Sequence, residues 1–231
     1  MIYLDNAATT EPTVGVISDF LRTCYNYPYN PSSKHKGGIE ARKLLEDSRK
    51  KIADVIGCFE DEIIFTSGGT EGNNMIIRGF FEDKDSGVLI TTQIEHPSVL
   101  RVAEYLEKNA CGIIDVYYLP VNDVGGINIF DLDNTIRYEI ERGVDPENIL
   151  VSIQGANNEI GTMLPIGEFY EIAQGYGVYF HSDQVQSFPH IGAWMSCDAF
   201  TVSGHKFGAL RGTGFVYISR ELQQYLSPII L

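Results

Sequence analysis

Basic residues are scarce in this sequence. Lysine and arginine number 17 against 31 aspartates and glutamates, for a net charge of −14. A chain this acidic repels nucleic-acid phosphates and anionic bilayers, so no nucleic acid and no membrane is expected as a partner. Cysteine is scarce too. Cys24, Cys58, Cys111 and Cys197 are scattered, with no Cys-x-x-C pair and no histidine at zinc-ligand spacing. They are expected to be reduced thiols of a cytoplasmic protein, with no metal site. No apolar run is long enough to span a bilayer. The opening Met1-Ile2-Tyr3-Leu4-Asp5 has no basic segment followed by an apolar stretch, so no signal peptide is expected. Neither G-x-G-x-x-G nor a Walker A loop occurs, so no nucleotide is implied. Low-complexity linkers and internal repeats are absent as well. These absences leave one large domain with its own core, residues 13–231, behind a short N-terminal arm, residues 1–12.

What is present alternates. Strands are expected over 62–66, 87–92, 113–119, 149–153, 178–181, 198–202 and 214–218, with Phe200 and Val202 on one face of the sixth. Helices are expected over 13–25, 38–56, 131–141 and 167–176. A further helix runs on from the Ser67–Asn74 turn through Phe81. Another is opened by Pro97 and Ser98, with Val99, Val102, Ala103 and Leu106 on one face. In the 38–56 helix, Ile39, Leu44, Leu45, Ile52, Val55 and Ile56 form the expected inward stripe, and Gly57 ends it. Strands alternating with helices predict an α/β fold of three αβα layers around a mostly parallel sheet.

Two stretches carry candidate chemistry. The first is Ser67-Gly68-Gly69-Thr70-Glu71, a glycine turn between a strand and a helix. It brings backbone N–H groups and the positive end of a helix dipole to one point, where Gly69 and Thr70 can hold an anion. The plainer alternative is a tight turn with Thr70 as helix N-cap. The second is Ser203-Gly204-His205-Lys206 at the end of a buried strand. Desolvation there disfavours the ammonium of Lys206 and frees its amine toward a carbonyl. A lone lysine at a strand end is more often a surface residue. However, Thr70, His96, Asn158, Asp183, Gln186 and Lys206 all fall just after expected strands, on the sheet edge where α/β folds bind ligands. A ligand suited to all of them has a phosphate for the glycine turn, a carbonyl for Lys206, a flat ring for His96 and a basic ring nitrogen for Asp183. Pyridoxal 5′-phosphate has all four.

The ordered set Tyr3–Thr10, Asn30-Pro31-Ser32-Ser33, Phe65–Glu71, Glu95-His96, Asn157-Asn158-Glu159-Ile160-Gly161, Asp183–Ser187 and Ser203–Lys206 resembles the large domain of cysteine desulfurases. These form part of the class-V aminotransferase branch of fold-type I pyridoxal-phosphate enzymes. The resemblance implies that Lys206 links covalently to the cofactor and later moves the substrate proton, and that His96 stacks on the ring and relays protons. It implies that Asp183 pairs with the ring nitrogen and Gln186 with the phenolic oxygen. Gly69, Thr70, Ser203 and His205 would hold the phosphate, and Asn158 would lie beside the ring oxygen and the substrate carboxylate. For His205 a purely structural role stays open, and His35, His181 and His190 are expected to be structural.

The resemblance further implies L-cysteine as substrate, L-alanine and an enzyme persulfide as products, a homodimer, and transfer of sulfur to an acceptor protein, as for iron–sulfur clusters. Selenocysteine lyase, cysteine-sulfinate lyase and a non-catalytic cofactor-binding fragment are the alternatives. The family's nucleophilic cysteine, its carboxylate-gripping arginine and its small C-terminal domain have no counterpart up to Leu231. The chain is therefore expected to be a shortened form, inactive by itself, with none of its four cysteines as the nucleophile.

Overall fold

The structure is a computed structural model and describes residues 2–109, 113–191 and 195–229. Cys111 lies outside them. Among the described residues no helix is long and apolar enough to cross a membrane.

Among the described residues thirteen longer elements follow one another: α1 (Val14–Asn26), α2 (Lys36–Ile56), β1 (Ile63–Thr66), α3 (Gly69–Phe81), β2 (Gly87–Thr92), α4 (Pro97–Asn109), β3 (Ile114–Leu119), α5 (Ile129–Glu141), β4 (Ile149–Ser152), α6 (Ile166–Tyr176), β5 (Tyr179–Asp183), β6 (Ala199–Ser203) and β7 (Gly214–Ile218). The seven strands form one sheet in the order β1-β7-β6-β5-β4-β2-β3. β2, β3, β4, β5 and β6 pair in parallel, and β7 runs antiparallel to both β1 and β6. β1 thus points the same way as the parallel strands. The carboxyl ends of β1, β2, β4, β5 and β6 all reach one edge.

Strand periodicity divides the core. Val88 and Ile90, Ile149 and Val151, Phe200 and Val202, and Phe215 and Tyr217 face one side with α2, α5 and α6. Leu89, Leu150, Ala199, Val216 and Ile218 face the other with α3 and α4. This is the expected three-layer arrangement with a mostly parallel sheet. Val99, Val102, Ala103 and Leu106 of α4 are buried together as their spacing predicts.

The stripe expected on α2 is only partly inward. Ala53 and Ile56 are buried, whereas Ile39, Leu45 and Val55 are exposed. The helix touches the sheet with its C-terminal turns alone, so periodicity overstates its buried face. Gly57 ends it in the left-handed conformation (φ 87°). His35 accepts from Gly38 N–H (3.3 Å) as its N-cap, and His181 is buried between Ser152 Oγ (2.9 Å) and Thr201 Oγ1 (3.1 Å). No residue of α1 is buried, and Phe20, Leu21 and Tyr25 are exposed on it.

Close packing of α3 on the sheet depends on Gly72. A Cβ there would stand 2.6 Å from Thr201 Cγ2 and 2.7 Å from Val216 Cγ1. Gly72→Ala is expected to destabilise the fold by about 1–3 kcal/mol through overpacking, less the gain of roughly 1 kcal/mol in helix propensity. Urea unfolding would show this as a lowered midpoint. An unchanged or raised midpoint would mean that α3 can shift off the sheet without loss.

Candidate functional site

The carboxyl ends of the strands open into a cavity of about 370 Å3. Gly69, Thr70, His96, Asn158, Asp183, Gln186, Ser203, His205 and Lys206 all line it, as do Asp5, Ala7 and Ala8 of the arm.

β1 delivers the glycine turn. Gly68, at φ 145°, is the N-cap of α3 in a conformation that disfavours side chains. Thr70 is therefore inside the first turn rather than its cap. The amides of Gly69 and Thr70 lie in that turn, where no intrahelical acceptor exists. Glu71 accepts from Ser67 N–H (2.6 Å), and hydrogen bonding from the Ser67 side chain, then its backbone, holds the carboxyl below the usual range. Ser203 stands opposite: a Cβ on Gly68 would be 3.2 Å from its Oγ. The hydroxyls of Thr70 and Ser203, two open amides and His205 make a donor set suited to a phosphate. Burial, then Lys206 and Arg211, push His205 below its usual pKa. Its Nδ1 lies 3.0 Å from Thr9 Oγ1.

Lys206 closes a single 3-10 turn, Gly204–Lys206, directly after β6. Burial lowers its pKa, against the opposing pull of Asp183 and Asp5. Its ammonium donates to Ala7 C=O (2.6 Å) and Ala8 C=O (3.1 Å). The same Ala7 carbonyl accepts from Gln186 Nε2 (2.9 Å). The arm is held against this turn by Thr10, whose N–H and Oγ1 both donate to His205 C=O (2.8 and 2.9 Å).

Asp183 ends β5 and is buried. Desolvation raises its pKa, against Val185 N–H on Oδ1 (3.0 Å), Asn73 Nδ2 on Oδ2 (2.7 Å) and the charges of His96 and Lys206. His96 sits four residues beyond β2, in the turn before α4, rather than at the strand edge itself. Its Nδ1 meets Ser98 Oγ (2.7 Å) and accepts from Ser98 N–H (3.1 Å). Asn158 lies in the loop after β4. That loop is pinned by Asn157, which donates to Ile94 C=O (2.9 Å) and accepts from Glu159 and Ile160 N–H. Asn73, Ser98 and the Ala7 carbonyl belong to this network and escaped the sequence reading. The available signal was a polar residue, Asn73, at a core position of α3 one turn before Ile76 and Ile77.

A family model for class-V aminotransferases matches residues 2–231. The chain belongs to the class-V aminotransferase family. Its relatives include the "Cysteine desulfurase IscS" of Dictyoglomus turgidum, 40% identical over 99% of this chain and 56% of that protein. Among solved structures, a "NIFS-LIKE PROTEIN" superposes with a TM-score of 0.87 at 33% identity, over 99% of this chain and 61% of that one. "SspA in complex with cysteine" does so at 0.86 and 32%, over 100% and 65%. The chain spans a little over half the length of the curated relatives it matches. The fold is that of the fold-type I pyridoxal-phosphate enzymes, and the class-V family depends on that cofactor.

Glu95 precedes His96 in the turn after β2. It is buried, with Oε1 accepting from Gln154 N–H (3.0 Å) and Thr92 Oγ1 (2.8 Å), while Oε2 has no partner among the described residues. Burial pushes its pKa from 4.5 to about 8, with Asp183 adding to the rise and the two donors opposing it. Unfolded, it ionises near 4.5, so its contribution to stability is full below that pH and is lost as pH rises to about 8. Glu95→Gln is expected to remove this loss. Between pH 4.5 and 8, the wild type should then lose on the order of a few kcal/mol more stability than the variant. Equal losses in paired urea titrations would show that Glu95 is ionised in the folded chain.

Proposed function

We propose that this chain is the cofactor-binding part of a pyridoxal-phosphate-dependent cysteine desulfurase, which takes sulfur from L-cysteine. The observation that carries the reading is the convergence of Lys206, Asp183, Gly69 and Thr70 on one cavity, in a chain 35–40% identical to proteins named cysteine desulfurases. A cysteine-bound structural relative supports the substrate. The names of the relatives favour sulfur delivery to an acceptor protein, as in iron–sulfur cluster assembly. Among the described residues Cys24 and Cys58 are free thiols, in keeping with a cytoplasmic setting. The exposed apolar side chains of α1 and α2 suit burial in a homodimer.

Pyridoxal phosphate, when bound, supplies a reactive aldehyde and an electron-accepting ring. The protein's part is to hold and orient it. Gly69, Thr70, Ser203 and His205 would hold the phosphate at the N-terminal end of α3. Asp183 would keep a proton on the ring nitrogen, and His96 would cover the ring. Gln186 and Asn158 would hydrogen-bond the ring oxygen. Lys206, its ammonium form disfavoured by burial, would be the amine available to the aldehyde and would move the substrate proton. For Lys206 and Gln186 to do so, Ala7 C=O must give up its hydrogen bonds to both.

Pyridoxal phosphate added to the purified chain is expected to produce near-visible absorption, and borohydride to fix the label on Lys206. Lys206→Ala is expected to abolish both. A label on another lysine with Lys206 unmodified would refute the assignment.

Asp183→Ala should leave phosphate anchoring largely in place while removing the ring nitrogen's partner. In the whole protein, sulfide release from cysteine is expected to fall by about 100-fold or more, and cofactor affinity by much less. Turnover near the wild-type rate would contradict the role given to Asp183.

A further inference from the structure

Asn73 stands on the sheet-facing side of α3, fully buried, where Ile76, Ile77 and Phe80 of the same helix are core. An apolar residue would suit that position. The amide is kept although its Oδ1 has no partner among the described residues. A buried polar group that leaves its acceptor idle is held there for its donors. Both hydrogens of Nδ2 are used: one on Asp183 Oδ2 (2.7 Å), the other on Ser98 Oγ (2.8 Å).

The direction of the chain follows from counting donors. Ser98 N–H points at His96 Nδ1 (3.1 Å), so that nitrogen is an acceptor. Ser98 Oγ receives a hydrogen from Asn73 and lies 2.7 Å from the same Nδ1. Its own hydrogen therefore goes to His96. In the neutral ring the proton then sits on Nε2, which makes no hydrogen bond to the described residues. Asn73, Ser98 and Asp183 are buried, which shields the two bonds that Asn73 donates, while His96 at the end of the sequence is exposed.

We infer that Asn73 is a positioning residue whose single side-chain NH2 holds Asp183 and Ser98 together, and through Ser98 sets His96 with Nδ1 as acceptor and its hydrogen on Nε2. The inference deepens the reading of the cavity as a pyridoxal-phosphate site and rests on it. The partner of the ring nitrogen and the residue over the ring face become one rigid unit, joined behind the cavity wall. The amide N–H on Oδ2 also favours the carboxylate of Asp183 against its burial. The other groups facing that carboxylate are His96 from the start of α4, Lys206 from the turn after β6, Val185 N–H, and Glu95 from the turn after β2.

The test uses the cofactor-free chain, labelled with 15N-histidine and 13C-aspartate. In the wild type, long-range 1H–15N correlation is expected to give His96 as a single Nε2–H tautomer. In Asn73→Leu, which keeps the volume, the two nitrogen resonances of His96 should move toward each other, and the same is expected in Ser98→Ala. For the His96 resonances the double variant should match Ser98→Ala alone, because there the first substitution acts through the second residue. The carboxyl midpoint of Asp183 should rise in Asn73→Leu, since a donor to its charged form is gone. His35 and His181 should stay in place, which a general loosening would not allow. Unmoved His96 and Asp183 signals in Asn73→Leu, or additive effects in the double variant, would overturn the inference. If Asn73→Leu loses the fold, Ser98→Ala alone decides: it should also shift the titration of Asp183, and an unchanged Asp183 would overturn the proposal. Pyridoxal phosphate is then added. About tenfold weaker binding is expected in Asn73→Leu, the loss of one charge-assisted hydrogen bond, and wild-type affinity would also count against the role. A wild-type chain that bound no cofactor would refute the functional reading while leaving the resonance result to stand.

Discussion

A carboxylate buried at the end of a central strand needs compensation from every side, and the architecture around Asp183 supplies it. β5 lies in the middle of the sheet, covered by helices on both faces, so only the cavity side is open and water solvates the charge poorly. Compensation comes from a backbone amide two residues on, an amide side chain from α3, an imidazole at the head of α4 and an ammonium after β6. Each reaches the same point because the parallel strands end on one edge. If β1 or β6 ran the other way, the glycine turn or Lys206 would lie on the opposite side of the domain.

The same edge explains the two opposite electrostatic poles of the cavity. At one end, the open amides of α3 with Thr70, Ser203 and His205 form a site for an anion. At the other, Asp183 favours a cation. Lys206 lines the same cavity, its ammonium form disfavoured by burial. A ligand with a negative group at one end and a protonated ring nitrogen at the other suits such a field, which is why the donor set is better matched to pyridoxal phosphate than to a simple anion. The arm adds a backbone surface to the cavity. Ala7 and Ala8 offer carbonyls to Lys206 and Gln186, so these two side chains are held in place by acceptors that a ligand would have to replace.

Much of the fold was legible in the sequence. Alternating strand and helix patterns, the glycine at the end of α2 and the apolar face of α4 follow from local rules of backbone geometry and periodicity. Those rules failed where burial depends on what lies opposite. Ile39, Leu45 and Val55 have the spacing of a buried stripe, yet α2 meets the sheet only through its last turns. The reversed β7 was equally hidden, because a short strand reads the same in either direction.

The sequence by itself determined which chemistry the domain can hold. Lys206, Asp183, His96 and the Gly68-Gly69-Thr70 turn are residue types with few other uses in that order, and an alternating α/β pattern puts strand ends on a common edge. Only the tertiary structure decided how those groups are wired. Asn73 is 110 positions from Asp183 and 25 from Ser98, and Ala7 is 199 from Lys206. Hydrogen bonds of that span leave no periodic trace in a sequence, since they depend on distance and direction in the folded chain alone.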